Sequence, residues 1–189
     1  MFSNISSHTI GIDDGPFTKE QDTAPLVAAL LQGSHLQRVR ATRITVDGLD
    51  ATDKALKLLK GWKPASILLS GVTFAGFNLI DPNVLQKNFR VPVIVVVGSR
   101  PDNKAVKQAL VKHFPDWKLR WKVIRSLGPI RKTITNPDEP PLFFEVFGCS
   151  TRDAAKILRA NCYVSRVPEP VRVAGLLARG LFHQPSMLT

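Results

Sequence analysis

The 189 residues carry 26 Lys and Arg against 15 Asp and Glu, a formal net charge of +11 at pH 7, and 44% of them are hydrophobic. That is enough apolar material for one domain over 1–189 with a full core, and it excludes a disordered chain. Two cysteines, Cys149 and Cys162, exclude a disulfide scaffold, and no Cys-x-x-Cys pair suggests zinc. No apolar run reaches membrane-spanning length and no leader pattern is visible, so the expectation is a cytoplasmic protein that engages no membrane. Unbalanced positive charge makes nucleic acid the leading partner.

In chain order, 8–13 (HTIGID) reads as a strand running into Asp13-Asp14-Gly15-Pro16. The apolar run 26–33 and the alternating run 36–47 read as a hairpin joined at Gly33-Ser34-His35, giving three antiparallel strands at the start. A helix follows at about 51–60 and ends at Gly61. SILLS reads as a buried strand of the parallel type, and the Gly-rich segment GVTFAGFN follows it. Asp81-Pro82 opens a helix over 82–90, with Asp as N-cap and Pro at the first position. VPVIVVVGS is the most strand-like run of the chain, and a helix over about 102–114 comes next.

The stretch 117–141 is the hardest to assign. Lys118, Arg120, Lys122, Arg125, Arg131 and Lys132 interleave with Trp117 and Trp121. Either they track phosphates and stack bases, or they form a half-exposed strand with buried tryptophans. LFFEVFG is then a strand, STRDAAKILRAN a helix with Ser150 or Thr151 as cap, and a last helix starts near Pro168-Glu169-Pro170. Hairpins followed by alternating helix and strand predict an α/β fold with a mixed central sheet flanked by helices. In such folds ligands sit at strand carboxyl ends, which is where Asp13 lies.

Asp13, Asp14, Asp47 and Asp50 all fall at or just after predicted strand ends. With the first and third strands as neighbours, Asp13 meets Asp47 or Asp50, and converging carboxylates call for Mg²⁺ or Mn²⁺. The alternative is that these residues only build turns and cap the next helix. GVTFAGFN lacks the glycine pattern and the Lys of a P-loop. Cys149 reads as a small buried thiol, Arg172 as either a phosphate contact or a partner of Glu169, and His8, His35, His113 and His183 as non-catalytic.

Together, IGIDDGPF, VDGLDAT, LLSGVTFAGFN, PVIVVVGSRP and RVPEPVRVA resemble the archaeal proteins of domain-of-unknown-function family 99, in order and over nearly the whole chain. That family is similar to endonuclease V, a ribonuclease H-like nuclease that uses a divalent metal beside a deaminated adenine. The resemblance implies a ribonuclease H-like fold, with Asp13 as metal ligand and Asp50, or Asp47 in its place, as the second. Catalysis would rest on Asp13 and Asp50, with Asp14 or Asp47 assisting and Lys118, Arg120, Lys122 and Arg172 holding the strand. Three departures stand out: Ser70 replaces the third carboxylate, Gly148-Cys149 replaces a Gly-His pair, and the strand-separating wedge has no counterpart between Val39 and Val46. The open alternative is a nucleic-acid-binding module that kept the fold without the chemistry.

Overall fold

The computed structural model describes residues 8–18 and 20–182, so His183 lies outside the described residues. The main sheet has seven strands. They are β1 (His8–Asp14), β2 (Thr23–Gln32), β3 (His35–Thr45), β4 (Ser66–Ser70), β7 (Val93–Val97), β8 (Arg131–Thr133) and β9 (Leu142–Phe147). Between β4 and β7, β5 (Thr73–Phe74) and β6 (Asn78–Leu79) form a separate two-stranded hairpin. The spatial order is β3-β2-β1-β4-β7-β9-β8. β1, β4 and β7 run parallel, and β2, β3, β8 and β9 join antiparallel to their neighbours.

The meander is as expected, but β2 separates β1 from β3, so the first and third strands are not neighbours. The reason lies in composition. β2 is apolar almost throughout and buried from Ala24 to Leu31, which suits an inner strand covered on both faces. β3 alternates and exposes its first six residues, which suits an edge.

Strand periodicity sorts the core into two layers. Ile10, Ile12, Ile67, Leu69, Val93 and Val95 face α1 (Ala51–Leu59) and α2 (Pro82–Phe89). Leu68, Ile94, Val96 and Phe144 face the other way, toward α5 (Thr151–Ala160) and α6 (Glu169–Phe182). Asp81 caps α2 by accepting from the Asn83 N–H at 2.9 Å, with Pro82 at the first position as predicted. Ser150 caps α5 through the Asp153 N–H at 3.1 Å.

Most of the ambiguous stretch resolves as a helix, α3 (Asn103–His113) being followed by α4 (Trp117–Ser126), while Arg131 and Lys132 fall on the short strand β8. The signal was helical spacing, since Trp117, Arg120, Trp121 and Ile124 recur at i, i+3, i+4 and i+7 and all point inward or half inward.

α6 lies unusually close to β1. A Cβ on Gly11 would collide with the Pro170 carbonyl, and a Cβ on Gly175 would collide with the Asp13 carboxylate. One glycine on the strand and one on the helix thus seat the Pro168-Glu169-Pro170 start directly on β1 and bring helix backbone against Asp13.

Candidate functional site

Successive side chains on a strand alternate faces, so Asp13 and Asp14 point to opposite sides of the sheet. Asp13 faces α6, at the carboxyl end of β1. The parallel register of Ile12 with Leu69 sets Ser70 beside it, and the Ser70 hydroxyl hydrogen-bonds its carboxylate. The Asp14 N–H also donates to Asp13 Oδ1 at 3.0 Å. Burial and the Asp14 charge push the Asp13 carboxyl up to about 6. Those two hydrogen bonds and the positive charge of Arg179, one turn along α6 from Gly175, offset only part of that rise. Among the described residues no salt bridge compensates Asp13.

The other three acidic candidates serve the chain itself. Asp14 Oδ2 accepts from the Ala75 N–H at 2.6 Å, and burial raises its pKa. Asp47, held at φ 53, accepts from the Phe77 N–H at 2.8 Å and donates its own N–H to the Ala75 carbonyl at 2.8 Å. Asp50 accepts from the Thr45 N–H and hydroxyl at 3.1 Å each, and from Asn78 Nδ2 at 2.6 Å. Burial works to raise Asp50, but those hydrogen bonds outweigh it and hold the carboxyl below its usual range. All three therefore fasten the β5–β6 hairpin, the GVTFAGFN segment, to the strand ends around it. The expected convergence of Asp13, Asp14, Asp47 and Asp50 is corrected: no group of three His, Cys, Asp or Glu able to hold a metal occurs among the described residues.

Among the basic candidates, Lys118 and Lys122 are exposed on α4. With Trp117, Trp121, Arg125 and Ser126 they border an open groove of about 450 Å³. Lys118 lies 5.9 Å from the Trp117 ring centre, and Lys107 of α3 lies 5.6 Å from that of Trp121. Arg120 does not join them. It is only 4% exposed, and it donates to both Asp116 oxygens and to the carbonyls of Asp47, Gly48 and Phe77. Every guanidinium donor is spent on the protein, so the expected strand contact at Arg120 is corrected to an internal clamp. Arg172 makes a two-pronged pair with Glu169, at 2.8 and 2.6 Å, which is the helix-start pairing and leaves its charge neutralised. Burial and the Asp153 charge push the Cys149 thiol up, which opposes any role as nucleophile.

Two residues near these sites went unnoticed in the sequence. Arg179 gave no signal, because a lone Arg in a terminal amphipathic helix reads as surface. Glu145 did give one: it is a single carboxyl inside the apolar strand Leu142–Phe147. It is 5% exposed, no hydrogen bond or ion pair reaches its carboxyl among the described residues, and burial pushes it up to about 7.

A central strand carrying an acid at its carboxyl end, flanked by two antiparallel strands on one side and parallel strands on the other, defines a ribonuclease H-like fold of the endonuclease V type. The chain is similar in structure to endonuclease V of Ciona intestinalis in complex with an inosine-containing 24mer DNA. The TM-score is 0.67 at 18% identity, over 95% of this chain and 87% of the other. A protein of unknown function from Archaeoglobus fulgidus matches with TM-score 0.82 at 28% identity, over 93% of this chain and 98% of that one. A UPF0215 protein of Methanothermobacter thermautotrophicus is 37% identical over 178 residues, 91% of this chain and 86% of its own length. The family model described as endonuclease dU matches residues 6–182, and the chain belongs to that family.

Proposed function

We propose that this chain is an endonuclease that hydrolyses phosphodiesters with Mg²⁺ or Mn²⁺ held at Asp13. The observation that carries the reading is Asp13 itself: a carboxylate at the end of the central strand, lifted to about 6 by burial and without a salt bridge among the described residues. Such a group gains from an added cation. The donor set does not fit a cage of three carboxylates. It fits the arrangement usual for Mg²⁺, one or two carboxylates with the remaining positions filled by water and substrate phosphate. Asp13 would hold the ion with the Ser70 hydroxyl beside it. Bound there, the ion would lower the pKa of a water and polarise the scissile phosphate.

The remaining work belongs to the chain. α6, pressed onto β1 through Gly11 and Gly175, excludes water from one side of Asp13. Trp117 and Trp121 offer faces for bases, and Lys118, Lys122 and Arg125 follow the phosphates. The family's description and the DNA-bound endonuclease V support nucleic acid as substrate, and the dU of that description points to deoxyuridine. The test is a set of end-labelled oligonucleotides carrying deoxyuridine, deoxyinosine or no lesion, incubated with Mg²⁺, Mn²⁺ or EDTA. The reading expects metal-dependent cleavage at a modified base and fails if no strand is cut under any condition.

A second reading, a binding module without chemistry, is favoured by Ser70 at the end of β4 and by the dispersal of Asp14, Asp47 and Asp50 onto the β5–β6 hairpin. It expects salt-sensitive binding that is indifferent to metal. Both readings share the α4 groove. Changing Lys118 and Lys122 together to Glu is expected to weaken single-strand binding. The slope of log affinity against log salt should become shallower by at least about 1.4, roughly 0.7 for each lost phosphate contact. Fluorescence anisotropy between 50 and 200 mM salt measures this, and an unchanged slope removes the groove from the interface.

A further inference from the structure

The edge strand β3 and the helix α1 form a second basic face, apart from the α4 groove. From His35 to Thr45, and again from Lys54 to Ser66, the chain carries Lys and Arg but no Asp or Glu. Arg38 and Arg40 stand two apart on β3 and so share one face of the sheet. Lys54 and Lys57 stand three apart on α1 and so share one side of the helix. Arg40, Lys54 and Lys57 border an open groove of about 470 Å³. Arg38 and Lys63 border the adjoining hollow, beside Trp62. Among the described residues no salt bridge neutralises any of these cations.

Arg40 fixes the spacing of strand and helix. Its Nη1 donates to the Leu58 and Lys60 carbonyls at 2.9 and 2.7 Å, and its guanidinium lies 4.9 Å from the centre of the Trp62 ring. Arginines on an exposed edge also deter pairing with another sheet. That role does not account for Lys54 and Lys57, which border the same groove from the helix. A fixed groove lined by cations without acids fits a polyanion. Trp62 is 5% exposed and lies under Arg40, so it offers no free ring to a base. A face that meets phosphates alone suits a duplex, whose bases are already paired and stacked. The α4 groove differs in offering Trp117 and Trp121. Only the loop 46–50 separates the two, since Arg120 of α4 donates to the carbonyls of Asp47 and Gly48 and α1 begins at Ala51.

We infer that the β3–α1 face holds the phosphate backbone of a DNA duplex, and that the α4 groove holds the single strand continuing from it. Resting on nucleic acid as the substrate, this names its form, a junction of double and single strand. The test is fluorescence anisotropy in EDTA, so that no strand is cut, across a salt series. The probes are a DNA duplex, a single strand, and the duplex with a single-stranded tail. The wild type should bind the tailed duplex about tenfold or more tightly than either of the others. The triple variant Arg38→Gln, Lys54→Gln and Lys57→Gln changes only exposed or half-exposed side chains, so its melting temperature should match that of the wild type. Its slope of log affinity against log salt on the duplex should become shallower by about 2.7, roughly 0.9 for each lost phosphate contact, with the single-strand slope unchanged. The charge-preserving variant Arg38→Lys, Lys54→Arg and Lys57→Arg should keep the wild-type duplex slope. An unchanged duplex slope in the Gln variant, or an equal loss on duplex and single strand, would overturn the inference. Cleavage by the wild type with an unchanged duplex slope in the Gln variant would keep the nuclease reading and remove the duplex face. A shallower duplex slope without cleavage by the wild type would do the reverse.

Discussion

Asp13→Asn is expected to abolish cleavage and, at the same time, to stabilise the folded protein. Removing the charge that holds the cation should lower the cleavage rate about a thousandfold or more, some 4 kcal/mol of barrier. The gain in stability has a separate cause. Folding raises the Asp13 carboxyl from 3.8 to about 6, so the folded chain binds the proton more tightly than the unfolded one. A group shifted in this direction contributes its full stability below pH 3.8 and loses it as pH rises through about 6. Above that, the wild type carries a buried charge worth up to about 3 kcal/mol of destabilisation, which Asn does not have. Thermal denaturation at pH 8 should therefore place the variant roughly 6–12 °C above the wild type, with the difference closing toward pH 4. A variant less stable than the wild type at pH 8 would mean that Asp13 is a structural hydrogen-bonding residue and not a charge held ready for a cation.

Arg120 should behave in the opposite way. Its guanidinium joins the Asp116 carboxylate of α4 to the carbonyls of Asp47, Gly48 and Phe77, so one side chain binds the α3–α4 pair to the strand ends that carry the site. It also lies 4.3 Å over the Phe114 ring. Truncation to Ala strands three carbonyls and a carboxylate, Asp116, that the Arg120 hydrogen bond holds below its usual pKa. At about 1–3 kcal/mol for each buried group left without its hydrogen bond, stranding the three carbonyls costs about 3–5 kcal/mol in total. For a chain of this size the melting temperature should fall by roughly 6–20 °C. Whatever remains folded should keep the salt dependence of strand binding, because no donor of Arg120 is left to meet a phosphate. A shallower salt slope at unchanged stability would restore Arg120 to the interface.

The layer order of the fold was legible because it is written in periodicity. The continuous apolar run of β2, the alternation of β3 and the SILLS and VIVVV strands each reveal how many faces they bury. Strand order was less so. The unbroken apolar run of β2 marks an inner strand and the alternation of β3 an edge, but neither run names its neighbour, which is chosen by pairing across the sheet. Asp13 was legible as the acid of a central strand end. The roles of Asp14, Asp47 and Asp50 were not, because an acidic residue beside a turn has the same spacing whether it binds a cation or a backbone N–H. Their partners, Ala75, Phe77 and Asn78, lie 28 to 61 positions away. Arg120 was misplaced for a related reason: charge interleaved with Trp suggested a solvated face, whereas helical phase turns Arg120 inward and Lys118 and Lys122 outward. Glu145 carried its own signal, a carboxyl where an apolar strand has no other, and burial is what gives that signal meaning.

The most direct test of the site is product formation from an end-labelled, deoxyuridine-containing single strand, with Mn²⁺ or EDTA, by the wild type and Asp13→Asn side by side. Cleavage by the wild type with Mn²⁺ alone, and none by the variant under either condition, is the expected result. Equal cleavage by both proteins, or cleavage that persists in EDTA, would contradict a metal-dependent centre at Asp13.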